Sequence, residues 1–247
     1  MADYVVSDTS LASVANAIRA KSGGSGQLIF PDGFVSEVNG IEKGYSLADI
    51  IERNYSGNLV YNGSGVLPAG LFLNCTSLVS FSAPNVTKIG GSTSFGYYAN
   101  TEGQTFKGCT NLESVNMPLL DSLYYAGYAF YNCKKITNWG IDWHRITTLG
   151  GGCFKNTSLP SAIAFSKVTS NIYTSAFQDS ISLTKLDFAN GGEIQANAFN
   201  GCNLNVLVLR KSSVEKLNNI SAFENTPFGS GNAGGILYVP ENLISSY

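Results

Sequence analysis

The chain has 247 residues, 44% hydrophobic and 13% charged, with a formal net charge of −2. That much apolar surface fills a core and excludes a disordered tail. The 15 Lys and Arg are scattered rather than run together, which argues against nucleic-acid or membrane partners, and no run approaches the ~18 apolar residues of a membrane span.

The start, Met1-Ala-Asp-Tyr-Val-Val, has no basic region and no long apolar stretch. No cleaved secretory signal is expected, so the protein is expected to be made as a soluble cytoplasmic chain. Thr9 or Ser10 can cap a helix that carries Leu11, Val14, Ala15 and Ile18 on one face and closes near Gly23-Gly24. Pro31 then opens a second short helix with Phe34, Val38 and Ile41 in phase. Residues 1–45 are therefore predicted as a small helical segment, distinct in composition from residues 46–247.

From there a phenylalanine recurs, at 72, 106, 130, 154, 177, 199 and 223, with spacings of 34, 24, 24, 23, 22 and 24. Apart from one insertion the period is near 23. After each Phe comes an apolar residue, two variable ones, a second apolar residue, one variable, and a third. Leu78, Phe81 and Ala83 fit, as do Leu112, Val115 and Met117, and Ile136, Trp139 and Ile141. Leu159, Ala162 and Ala164 continue the pattern, followed by Leu183, Leu186 and Phe188 and by Leu204, Leu207 and Leu209. Alternation of this kind makes a short strand with every second side chain facing in. A coil of this length cannot bury its own apolar face, so coils must stack, each adding one strand to a parallel sheet.

Five cysteines without a CxxC pair leave no zinc or thioredoxin-like motif and make a disulfide framework improbable. Cys75, Cys109, Cys133 and Cys202 all fall three residues after the Phe, so they are expected to stack as a ladder of small buried thiols. Cys153 is out of phase and is expected to be more exposed.

Ala129-Phe130-Tyr-Asn-Cys133, with Ala83-Pro84-Asn-Val86 and Lys88-Ile89-Gly90, resembles the BspA-like subclass of bacterial leucine-rich repeats over roughly residues 67 to 247. The resemblance implies an α/β repeat solenoid, a right-handed leucine-rich-repeat coil with short parallel strands and about seven coils. The last coil, at Ile236-Leu-Tyr-Val-Pro240, would be a cap in which a strand leads into a short helix. Coils four and five depart by lacking the Cys, and Trp139 to Arg145 carries a short insertion. Ser10-Leu-Ala-Ser-Val-Ala-Asn-Ala-Ile-Arg-Ala-Lys-Ser-Gly, followed by Leu28-Ile-Phe-Pro-Asp-Gly-Phe34, resembles a module of structural (tail) proteins of phages and prophages of Gram-positive bacteria. That resemblance implies a virion or extracellular destination and contact of residues 1–45 with other virion proteins.

Catalytic chemistry is not expected. The single histidine, His144, follows Asp142 by two residues, but no serine or cysteine can be placed beside it, and it reads as an exposed loop residue. Acidic residues are spread singly, and the clusters Gly90-Gly91, Gly150-Gly151-Gly152 and Gly229 to Gly235 read as corners needing positive φ, not as phosphate cradles. No cofactor and no metal are implied.

What remains is surface. The variable strand positions, expected to line a concave wall, are Ser80, Ser82, Ser114, Asn116, Asn138, Gly140, Ser161, Ile163, Lys185, Asp187, Val206 and Val208. A second candidate is an aromatic corner of Tyr97, Tyr98, Tyr124, Tyr125, Tyr128, Tyr131, Trp139 and Trp143, residue types that anchor protein and glycan partners. The expectation is a non-catalytic recognition protein for a cell-surface protein or glycan, phage-encoded, or alternatively a bacterial adhesin that binds host or partner proteins.

Overall fold

The computed structural model describes residues 57–90, 103–123, 127–189, 192–211, 220–229 and 234–246. The helical segment predicted at 1–45 lies outside them. The described chain is a parallel β-solenoid. Strands β1 (Gly57–Val60), β3 (Leu78–Ser82), β5 (Ser114–Asn116) and β6 (Asn138–Gly140) form one parallel sheet, in that order. Strands β7 (Ala162–Phe165), β8 (Lys185–Phe188), β9 (Val206–Leu209) and β10 (Ile236–Tyr238) form a second. A further face carries β2 (Gly65–Leu67) on β4 (Val86–Ile89), continued by single bridges from Lys88 to Ser122 and from Ser122 to Thr148.

The recurring phenylalanines build the core as one ladder of rings. Phe72, Phe106, Phe130, Phe154, Phe177, Phe199 and Phe223 stack in sequence, with successive centroids 5.1, 5.1, 5.7, 5.7, 5.5 and 5.4 Å apart. Each offset pair adds about 0.5–1.5 kcal/mol beyond the area it buries. The inward strand residues Leu78, Phe81, Leu112, Val115, Leu186 and Phe188 are buried against this ladder. Phe228 tilts onto Phe223 at 5.6 Å at the C-terminal end of the stack.

Leucine-rich repeats return from strand to strand through a helix or a 3-10 turn, and the resemblance implied an α/β coil. Here the described residues contain strands and 3-10 helices but no α-helix. The reason lies beside each Phe. The residue two before it has positive φ at Gly70, Gln104, Tyr128, Gly152, Ser175 and Asn197, and the residue two after it at Asn74, Gly108, Asn132, Asn156, Asp179, Gly201 and Asn225. A left-handed residue on both sides confines the helical twist to a single turn, closed by bonds such as Cys109 N–H to the Phe106 carbonyl at 3.0 Å. Of the glycines predicted at positive φ, Gly90 and Gly152 have it.

Two local expectations are corrected. In coil four the inward residues are Ile163 and Phe165, both buried, while Ala162 is exposed and Ala164 half-buried. Ile163 pairs with Leu186 and Phe165 with Phe188, so the strand is one residue out of the predicted register. The larger side chains decide it, because a one-residue slip exchanges the two faces of a strand and Phe165 gains a stacked contact with Phe188 at 5.3 Å. The sheet also breaks between β6 and β7. Beside the break the Trp139 indole N–H donates to the Ser158 carbonyl at 3.0 Å. Asp142 then caps a 3-10 helix, Trp143–Arg145, that packs beside β7. The predicted end of the chain holds in outline: β10 is followed by the 3-10 helix Glu241–Ser246.

Candidate binding surface

Apart from Ile163, the variable positions of both sheets face outward, and the two sheets differ in chemistry. On β1 to β6, Ser80 Oγ donates to Asn58 Oδ1 at 2.7 Å, and Asn116 Nδ2 donates to Ser82 Oγ at 3.1 Å. Ser114 is half-buried and Asn138 exposed beside them. This wall is polar, and part of its hydrogen-bonding capacity is already met between neighbouring strands.

The β7 to β10 face is mixed and grooved. Asp187 accepts two hydrogen bonds from the Arg210 guanidinium, from Nε at 2.8 Å and Nη2 at 2.7 Å. That carboxylate, by hydrogen bond first and by charge second, raises the guanidinium above its ordinary pKa. A depression of about 580 Å³ runs past Lys185, Val206, Val208, Arg210, Tyr238 and Pro240. A second, of about 400 Å³, is lined by Asp142, Trp143, His144, Ala164, Lys185 and Asp187. Lys185 belongs to both, so they lie side by side on one face.

Sequence reasoning found Lys185 and Asp187 but missed Arg210 and Tyr238. The signal was available in part: Arg210 stands 23 residues after Asp187, close to one repeat and two residues past its strand partner Val208, which puts opposite charges on adjacent coils. Of the predicted wall, Ile163 is removed because it is buried.

His144 is exposed, as expected, and shares the smaller depression with two carboxylates. Both are engaged: Asp142 Oδ1 accepts the backbone N–H of His144 at 3.1 Å, and Asp187 holds Arg210. No serine or cysteine lines this recess.

The aromatic corner is divided. Tyr97, Tyr98, Tyr124 and Tyr125 lie outside the described residues. Trp139 and Trp143 are half-buried, and their rings pack on Phe130, Phe154, Phe165 and each other at 5.1 to 5.9 Å. They extend the core rather than the Tyr cluster. Tyr128 and Tyr131 pack on each other instead, edge to face at 5.8 Å.

All five thiols are buried, and Cys153 is as inaccessible as the rest, which corrects its predicted exposure. It stands one residue before Phe154, where other coils carry Ala129, Ala176 and Ala198, so it fills a small inward slot. Loss of solvation pushes the thiols of Cys133, Cys153 and Cys202 up to about 12, far from a nucleophile's range. Among the described residues no group of three His, Cys, Asp or Glu is placed to hold a metal, and no helix is long and apolar enough to cross a membrane.

No curated protein and no solved structure matches the chain. A family model does: the BspA type leucine-rich repeat region matches residues 100–228 in six copies, more than half of the 247 residues. With its stacked coils and its Phe-turn ladder, the chain belongs to the BspA-type leucine-rich-repeat family.

Proposed function

We propose that this chain is a non-catalytic recognition protein that engages a cell-surface protein or glycan through the outward face of β7 to β10. The leucine-rich-repeat solenoid is typical of non-enzymatic binding proteins, and membership of the BspA type supports a protein-binding or adhesin-type role. The observation that carries the location is the pair of adjoining depressions on that face, where exposed Lys185 and Tyr238 stand beside the Asp187–Arg210 pair. Concave sites with apolar walls and a few convergent polar groups are where ligands bind. The wall of β1 to β6 offers serines and asparagines that partly satisfy one another.

A finer reading is that residues 1–45 attach the chain to a phage or prophage particle. It rests on the residues that resemble tail-protein modules and on nothing else. The family match favours a second reading, a bacterial surface adhesin. Co-purification with virions separates them: the chain in purified particles supports the first, and its presence on intact cells without virions the second.

The binding role is tested by screening the chain against bacterial cell-wall glycans and surface-protein fragments, beside a Lys185→Ala/Tyr238→Ala variant. Both side chains are exposed, so the variant should fold as the parent does. A ligand lost from the variant supports this face. A ligand held equally by both removes it.

A further inference from the structure

We propose that the side of the solenoid carrying the Phe turns holds a second binding strip, for a linear anionic polysaccharide, built on Lys107, Tyr131 and Lys155. In sequence these lysines look scattered. They stand 24 residues to either side of Tyr131, each one residue after its ladder Phe, so stacking brings all three into one column. Lys107 Nζ lies 5.7 Å from the Tyr128 ring centroid and 5.8 Å from that of Tyr131, and Lys155 Nζ lies 6.0 Å from the Tyr131 centroid. The ladder rings beneath are 5.1 and 5.7 Å apart, so the two ammoniums are offset by two coils, on the order of 10 Å.

Exposed Lys134 and Lys135 follow in the next positions of the middle coil. No carboxylate of a described residue is ion-paired with Lys107, Lys134, Lys135 or Lys155; Lys107 and Lys135 donate instead to the amide oxygens of Gln104 and Asn111. Asp179, which lines a recess with Lys134, and exposed Glu224, three coils beyond Lys155 in the same column, are acidic groups on this side that bound the strip toward the C-terminal end. A row of uncompensated ammoniums separated by tyrosine rings suits a chain that alternates anionic groups with sugar faces, because the cations take the charge and the rings stack on C–H surfaces. Nucleic acid fits less well: four lysines on a chain of net charge −2 neutralise few phosphates.

The test is binding of the full chain to dextran sulfate, polygalacturonate, neutral dextran and a single-stranded oligonucleotide at low and at moderate salt. The variants are Lys107→Gln/Lys155→Gln and a charge-matched control, Lys88→Gln/Lys167→Gln, whose lysines are exposed elsewhere, on β4 and in the bend after β7. Melting curves check that both fold. At least one anionic polymer is expected to bind the parent and the control, with neutral dextran silent. The Lys107→Gln/Lys155→Gln variant is expected to bind about tenfold more weakly, with a log–log salt slope lower by about 2. The proposal fails if neither anionic polymer outbinds neutral dextran, or if the control loses as much as the variant. It also fails if a single-stranded oligonucleotide binds this strip more tightly than both polymers.

Discussion

The thiol of Cys133 donates to the backbone carbonyl of Phe106, one coil earlier, at 3.0 Å. The same bond recurs up the stack: Cys109 to Phe72, Thr157 to Phe130, Ser180 to Phe154 and Cys202 to Phe177. The carbonyls of Phe72, Phe106, Phe130 and Phe177 also accept an N–H from their own turn, so the small donor three residues after the Phe supplies a second bond and ties each coil to the one before. That is why Thr157 and Ser180 replace cysteine in the two coils that seemed to depart from the repeat.

Thr157→Val, which keeps the shape and removes the donor while the Phe130 carbonyl retains the Cys133 N–H, should therefore cost about 0.5–1.5 kcal/mol, while Cys133→Thr, which keeps a donor, should cost less. Urea unfolding of both variants checks the order. Equal losses would mean that packing alone occupies the slot.

The buried thiols also set an alkaline limit. Folding raises Cys133, Cys153 and Cys202 from an ordinary 9.0 to about 12, so between those values the unfolded chain releases protons that the folded one keeps. Stability present below pH 9 should fall as pH rises toward 12, by on the order of 1 kcal/mol per thiol near pH 10. Melting curves across this range should flatten in a Cys133→Thr/Cys202→Thr variant, and a thiol reagent should leave the native cysteines unlabelled.

Strand register in coil four separates neighbouring residues. Ile163→Asp buries an unpaired charge and should abolish cooperative unfolding, as should Leu112→Asp, because both side chains are buried. Ala162→Asp, exposed on the outward face opposite Lys185, should melt within a few degrees of the parent. Circular dichroism of the three variants is sufficient.

At Gly108 the backbone has φ of 75°, and an added Cβ would meet Asn74 Oδ1 at 2.3 Å. Gly108→Ala should cost about 1–3 kcal/mol. Asn132→Gly, at the equivalent position of the next coil, relieves the same backbone while losing the Asn156 Nδ2 bond to Asn132 Oδ1 at 3.0 Å, and should shift the melting temperature much less.

The stack itself was legible because its period is written in large residues: the Phe column and the strand triplets predicted the inward positions in every coil but one. Coil four escaped because Ala162 and Ala164 satisfy the pattern as letters, whereas Ile163 and Phe165 satisfy it as area. Cys153 departs from expectation for a related reason: it is out of phase with the other cysteines but in phase with Ala129, Ala176 and Ala198, whose inward slot it shares. The groove was half legible. Lys185 and Asp187 sit at outward strand positions, but Arg210 lies one residue past β9, where no alternation points to it, and Tyr238 closes β10, outside the six triplets that mark the other strands. The Lys107–Tyr131–Lys155 column was invisible to a search for charge runs, because its members become neighbours only through stacking.

The most direct test of recognition through β7 to β10 is hydrogen exchange on the intact chain, with and without the strongest ligand from the glycan and surface-protein screen. Protection concentrated in segments 185–188, 206–210 and 236–240, which border the two depressions, is the expected result. Protection confined to the outward face of β1 to β6, with those three segments unchanged, would contradict it.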